Sequence, residues 1–123
     1  MTKPKKFSFH SRLKSFVFAF AGIKYFFLTE HNAWVHALAT IAIVAVSFVA
    51  GISAYEWIAI VFAIALVWIS EMLNTAIEKS MDHLSPAIHP EVKIIKDIAA
   101  AAALTAAAAA VIVALIIFIP KFI

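Results

Sequence analysis

The sequence predicts an all-α membrane protein: an N-terminal amphipathic interfacial helix followed by three transmembrane helices. Three observations carry this. Of the 123 residues, 65% are hydrophobic and only 14% charged, against about a quarter charged in a soluble domain. The apolar residues gather into three long blocks rather than spreading along the chain. All the lysines and arginines except Lys121 fall on one side of those blocks, in the pattern that orients membrane helices.

The length allows one domain, residues 1–123, and no linker rich in Pro, Gly or Ser divides it. The absence of cysteine excludes disulfides, thiolate metal sites and a cysteine nucleophile. A sequence pI near 9.3 would suit nucleic acid, but most of the positive charge lies in the first 24 residues. Beside a membrane block it reads as contact with anionic lipid headgroups, so no nucleic-acid partner is expected.

The first element covers about residues 8–30. Phe9, Leu13, Phe16, Phe20, Ile23 and Phe27 alternate spacings of four and three, which places them on one helical face. Arg12, Lys14 and Lys24 lie off that stripe, as in a helix lying in the interface. A cleaved signal peptide fits less well, because Lys24 interrupts the apolar run and no small-residue cleavage site follows. Three spans come next, at about 33–50, 57–77 and 98–119, each near or above the ~20 apolar residues that cross a bilayer core. His36 is the one ionisable group in the first. The third has an Ala-rich first half suited to close helix packing. Residues 1–32 carry six basic side chains and the single acid Glu30; Lys79, Lys93 and Lys96 lie between the second and third spans, and Gly51–Glu56 has no basic residue. Basic loops stay inside, so the N-terminus is expected in the cytoplasm of a multi-pass membrane protein.

The second span ends in a polar stripe. Glu71, Asn74, Glu78 and Asp82 share one helical face, starting inside the apolar run and continuing toward water. An ionisable group inside a membrane helix is costly and usually marks function, and like charges this close repel unless a cation or proton joins them. Glu30, Lys96 and Asp97 fall at the same membrane edge. Carboxylates with open positions suit Mg²⁺, which takes one or two of them together with phosphates; a salt-bridge cluster is the plainer alternative. With only Gly22 and Gly51 in the chain, neither a Walker A loop nor a glycine-rich kinase loop is present. The residues alone support a Mg²⁺-competent acidic site at the inner interface and name no reaction.

The motif Glu71–Glu78 (EMLNTAIE), Asp82, the Lys96-Asp97 pair before an Ala-rich helix, and Gly22 with Glu30 ahead of the first span together resemble the prokaryotic diacylglycerol kinases, a family that includes the undecaprenol kinases. The resemblance runs from about residue 8 to 121. It implies a homotrimeric, three-span lipid kinase that moves a phosphoryl group from ATP to a membrane lipid alcohol, undecaprenol or diacylglycerol. Position by position it implies Glu71 as catalytic base with Asn74 supporting the reacting groups, and Glu30 and Glu78 as the carboxylates holding Mg²⁺ with ATP. Phe18, Ala87, Ile88, His89, Lys96 and Asp97 would contact the nucleotide. Two positions depart from the better-known diacylglycerol kinases, which carry Tyr at Phe18 and an acid at Ala87. Glu30-x-Asn32-x-x-x-His36, Tyr55-Glu56-Trp57 and the ending Leu115–Lys121 are closer to the undecaprenol kinases. The non-enzymatic alternatives are a small oligomeric channel or transporter with an acidic cation site, and a membrane adaptor. Neither gives a reason for Lys96-Asp97 beside the acidic stripe.

Overall fold

The computed structural model describes residues 6–84 and 89–123. Their regular structure is helical throughout: α1 Phe9–Thr29, α2 His31–Ala50, α3 Ala54–Leu84 and α4 Pro90–Phe122. The chain groups into two compact units that divide within α2, Met1–Val35 and His36–Ile123.

In the first unit, Ser8 starts α1 in an extended conformation, and its side chain accepts from the Ser11 amide at 3.4 Å, satisfying one of the donors that a helix start leaves open. Glu30 ends α1 with φ −115° and ψ 116°. Its N–H donates to the Phe26 carbonyl at 2.9 Å, and its own carbonyl accepts from Ala33 at 3.2 Å, opening α2. The Trp34 indole N–H donates to the Phe27 carbonyl at 2.9 Å with the two rings edge to face, so one aromatic pair closes the joint around Glu30. Of the stripe that predicts an interfacial helix, Phe9, Leu13, Phe16, Phe20 and Ile23 are exposed and Phe27 is half-buried.

The second unit begins with a hairpin. Gly51 takes φ +63°, the left-handed cap that residues with a Cβ adopt at a cost, and the amides of Gly51 and Ile52 both reach the Ser47 carbonyl. Ser53 and Glu56 then form a reciprocal capping box: Ser53 N–H donates to Glu56 Oε1 at 2.9 Å, and Glu56 N–H to Ser53 Oγ at 3.2 Å. Below the turn, Ile52, Ile60 and Ile117 are buried against Ile43, Trp57, Val113 and Phe118. α3 and α4 lie closely along one another, and the buried Ala99, Ala103 and Ala106 keep α4 thin enough for that approach.

Three helices are long and apolar enough to cross a membrane: α2, α3 and α4. The protein is therefore multi-pass. α3 and α4, at 31 and 33 residues, are roughly 46–50 Å long at 1.5 Å per residue. They overrun the expected apolar spans because a ~30 Å hydrocarbon core uses only part of that length. The surplus is the polar C-terminal part of α3 and the polar N-terminal part of α4, where the acidic stripe lies.

Candidate active site

α3 carries Glu71, Asn74, Glu78 and Asp82 along one face, as their spacing requires. Glu71 is the deepest carboxylate, its side chain 16% exposed, and its Oε1 lies 3.2 Å from His36 Nε2 on α2. One turn on, Asn74 Oδ1 is buried without a hydrogen-bond partner. A lone buried amide oxygen costs about 1–3 kcal/mol when left unpaired, so it marks a place where a donor or cation would be favourable. Toward the end of α3, Asp82 Oδ1 accepts from Lys96 Nζ of α4 at 2.6 Å. This hydrogen bond raises the Lys96 pKa above its ordinary value. Lys96 stands just before the apolar stretch that begins at Ile98, and both partners are substantially exposed, so the pair orients the ammonium more than it stabilises the fold. Lys93 and Asp97 pair along α4, also at 2.6 Å.

An apolar groove of about 320 Å³ runs between α2, α3 and α4. His36, Thr40 and Trp68 line it together with Ile43, Ile64 and the small Ala107 and Ala110. Trp68 Nε1–H donates to Thr40 Oγ1 at 3.0 Å, and Thr40 Oγ1–H to the His36 carbonyl at 2.7 Å. The groove is hydrocarbon-like along its length, with polar groups gathered near the carboxylate.

The remaining expected residues are placed as follows. Glu30 sits at the α1–α2 joint of the first unit. Phe18, also in that unit, lines a hollow of about 480 Å³ with Lys6, Ser11, Arg12 and Lys14. His89 caps α4, its Nδ1 accepting from the Glu91 amide at 3.2 Å, with Pro90 at the first helical position. Ala87 and Ile88 lie outside the described residues. Among the described residues no three His, Asp or Glu side chains converge as a protein-only metal cage would require.

The contact that sequence reasoning missed is His36. Its signal was visible: it is the lone ionisable group of the first span. Counting outward from the turn near Ile52, positions 36 and 71 are 16 and 19 residues away, which brings them to similar depth in antiparallel helices.

The model of the family described as prokaryotic diacylglycerol kinase matches residues 17–118, a stretch that contains the α3 stripe and the α4 lysine-aspartate pair. The chain belongs to that family. Among curated proteins, the chain is 40% identical over 108 residues to the undecaprenol kinase of Bacillus subtilis, covering 88% of each chain. It is 36% identical over 89 residues to the diacylglycerol kinase of Synechocystis sp., covering 72% of this chain and about half, 51%, of that relative. Membership makes this protein a membrane-embedded lipid kinase, and the channel and adaptor readings are set aside.

Proposed function

We propose that this kinase phosphorylates a membrane lipid alcohol at the cytoplasmic face of the inner membrane, with ATP as donor and Mg²⁺ as cofactor. The observation that carries the reading is Glu71, a largely buried carboxylate in an apolar helix, with Asn74 and Glu78 continuing its face toward water. A lipid alcohol presents its hydroxyl near the headgroup plane while ATP arrives from solution, so the site has to straddle that boundary.

In the proposed mechanism Glu71 takes the proton of the acceptor hydroxyl as its oxygen bonds to the γ-phosphorus. The bond from that phosphorus to the bridging oxygen breaks, and ADP leaves with the electron pair. Asn74 holds the reacting oxygens through its side-chain amide. Glu30 and Glu78 are the carboxylates that would hold Mg²⁺. Oxygen donors suit it, and the set of one or two carboxylates plus phosphates that Mg²⁺ favours needs no third protein carboxylate. When bound, the ion neutralises phosphate charge, which is the main demand of phosphoryl transfer. Lys96, held forward by Asp82, adds its ammonium to the phosphates, with Asp97, His89, Ala87, Ile88 and Phe18 around the nucleotide.

For the acceptor we favour undecaprenol over diacylglycerol. The greater similarity to an undecaprenol kinase over 88% of both chains supports this, as do the local features around His36, Trp57 and Lys121. The acceptor's chain stays in lipid or in the apolar groove while its hydroxyl reaches Glu71. Purified protein in mixed micelles with labelled ATP is expected to show Mg²⁺-dependent transfer and a higher kcat/KM for the polyprenol. A tenfold preference for diacylglycerol would reverse the choice of acceptor, and no transfer to any lipid alcohol would remove the activity.

The working unit in this proposal is a homotrimer with sites between chains, since three slender helices hardly enclose both ATP and a lipid. Mixing inactive Glu71→Gln with inactive Lys96→Ala protomers then restores part of the activity. Mixed trimers that stay inactive would place each site within one chain.

A further inference from the structure

Glu71 is the proposed base, yet nothing on its own helix holds its carboxylate in one orientation: the terminal torsion of a glutamate is broad. A base has to present one oxygen within about 2.6–3.2 Å of the proton it takes. In sites of this kind the base is commonly oriented by a third group.

His36 occupies the position such a group needs. Its Nε2 lies 3.2 Å from Glu71 Oε1, and the two side chains are 21% and 16% exposed. The backbone that carries the imidazole is tied to the neighbouring helix. Thr40 Oγ1–H donates to the His36 carbonyl at 2.7 Å, and Trp68 Nε1–H donates to Thr40 Oγ1 at 3.0 Å, tying α2 to α3 one turn from Glu71. The Trp68 ring meets the imidazole edge to face at 6.2 Å between centroids. Two polar side chains from different membrane helices that converge in an apolar setting are costly to place there unless they serve one another or a ligand.

We infer that His36 is a positioning residue for the Glu71 carboxylate, engaging Oε1 so that Oε2 faces the acceptor hydroxyl. The inference rests on the reading of Glu71 as base. His36 touches neither nucleotide nor metal in this assignment, so its removal acts on the chemical step and leaves nucleotide binding intact. Misplacing a reacting group by about 1 Å costs on the order of a hundredfold in rate.

The test compares four variants of the full-length protein in micelles containing undecaprenol, with ATP and Mg²⁺. Glu71→Gln asks whether the carboxylate is the base. His36→Ala is expected to lower kcat by roughly tenfold to a hundredfold, with the KM for ATP unchanged. His36→Gln, whose amide nitrogen reaches the place of Nε2, is expected to recover most of that loss. Ile117→Ala, in the apolar cluster at the hairpin end, is expected to keep kcat. Wild-type kcat in His36→Ala would overturn the inference. So would an equal fall in Ile117→Ala, which would mean that packing alone is being read, or no recovery in His36→Gln. If Glu71→Gln turns over normally, the base assignment fails. If Glu71→Gln is inactive and His36→Ala is not impaired, the positioning role alone fails.

Discussion

At the hairpin end of the His36–Ile123 unit, Glu56 accepts from the Ser53 amide and pairs with Lys121 at 3.1 Å, beside a tight apolar cluster of Ile52, Ile60 and Ile117. At the opposite end, Glu71 meets a single imidazole, Asn74 Oδ1 is buried with no partner, and Asp82 reaches across to Lys96. The same three helices therefore carry polar groups in two ways. Near the turn, the hydrogen-bonding capacity of the carboxylate is spent on capping a helix and linking α3 to α4. At the other end, capacity is left open in a setting where open capacity is expensive. Proteins tolerate such a deficit where a ligand completes it, so the two ends separate the work of holding the fold from that of doing chemistry.

The comparison is broken most directly at Glu71. Glu71→Gln is isosteric and is expected to lower turnover by about 10²–10⁴-fold, the usual contribution of a positioned base, while Mg²⁺-ATP binding and the melting temperature hold. Single-turnover kinetics alongside nucleotide titration checks this, and substantial remaining turnover would assign the base elsewhere. A smaller effect is expected at Glu30 and Glu78. Replacing either by Gln should raise the Mg²⁺ concentration for half-maximal rate by roughly tenfold or more, since even indirect partners of a metal site cost that much. An unchanged Mg²⁺ dependence in both variants would remove them as metal holders.

How far the molecule was legible in its sequence follows the same division. The four helices could be read because apolar periodicity and block length are local properties. The α3 stripe could be read because side chains at i, i+3, i+7 and i+11 share a face whatever surrounds them. Partner choice was not legible. The Lys96–Asp82 pair joins residues 14 positions apart across the α3–α4 connection. His36 meets Glu71 only because a hairpin turns at Gly51, and such contacts depend on how helices rotate about their axes. The orphaned Asn74 oxygen depends on burial and was equally out of reach.

At the hairpin end, breaking the apolar cluster should leave the chemistry alone. Ile117 is 6% exposed within it and lies far along α4 from Lys96. Ile117→Ala is expected to destabilise the fold by about 2–5 kcal/mol, the range for truncating a buried isoleucine. The value should fall toward the low end, because lipid rather than water surrounds the unit. Thermal unfolding in detergent should show the loss, with kcat unchanged below the transition. A fall in kcat at full foldedness would mean that the two ends are coupled and that the division between them is false.

The smallest effect is expected at Glu56, which lies ahead of the apolar stretch that begins at Trp57. The hydrogen bond from the Ser53 amide, then the bond from the Lys121 ammonium, hold its pKa below the ordinary carboxylate value. A carboxylate whose folded pKa is depressed stabilises the fold above its unfolded pKa, and that contribution is lost as pH falls through the folded value. Glu56→Gln keeps an oxygen for the Ser53 amide, so the capping box survives and only the charge facing Lys121 is removed. The variant should melt slightly below the wild type at neutral pH, and the gap should close as the pH falls through the depressed folded pKa, below the ordinary carboxylate range. Turnover should match the wild type throughout the neutral range. A gap that stays constant with pH would show that the Glu56 carboxylate contributes shape rather than charge, and the hairpin end would then differ from the other end in packing alone.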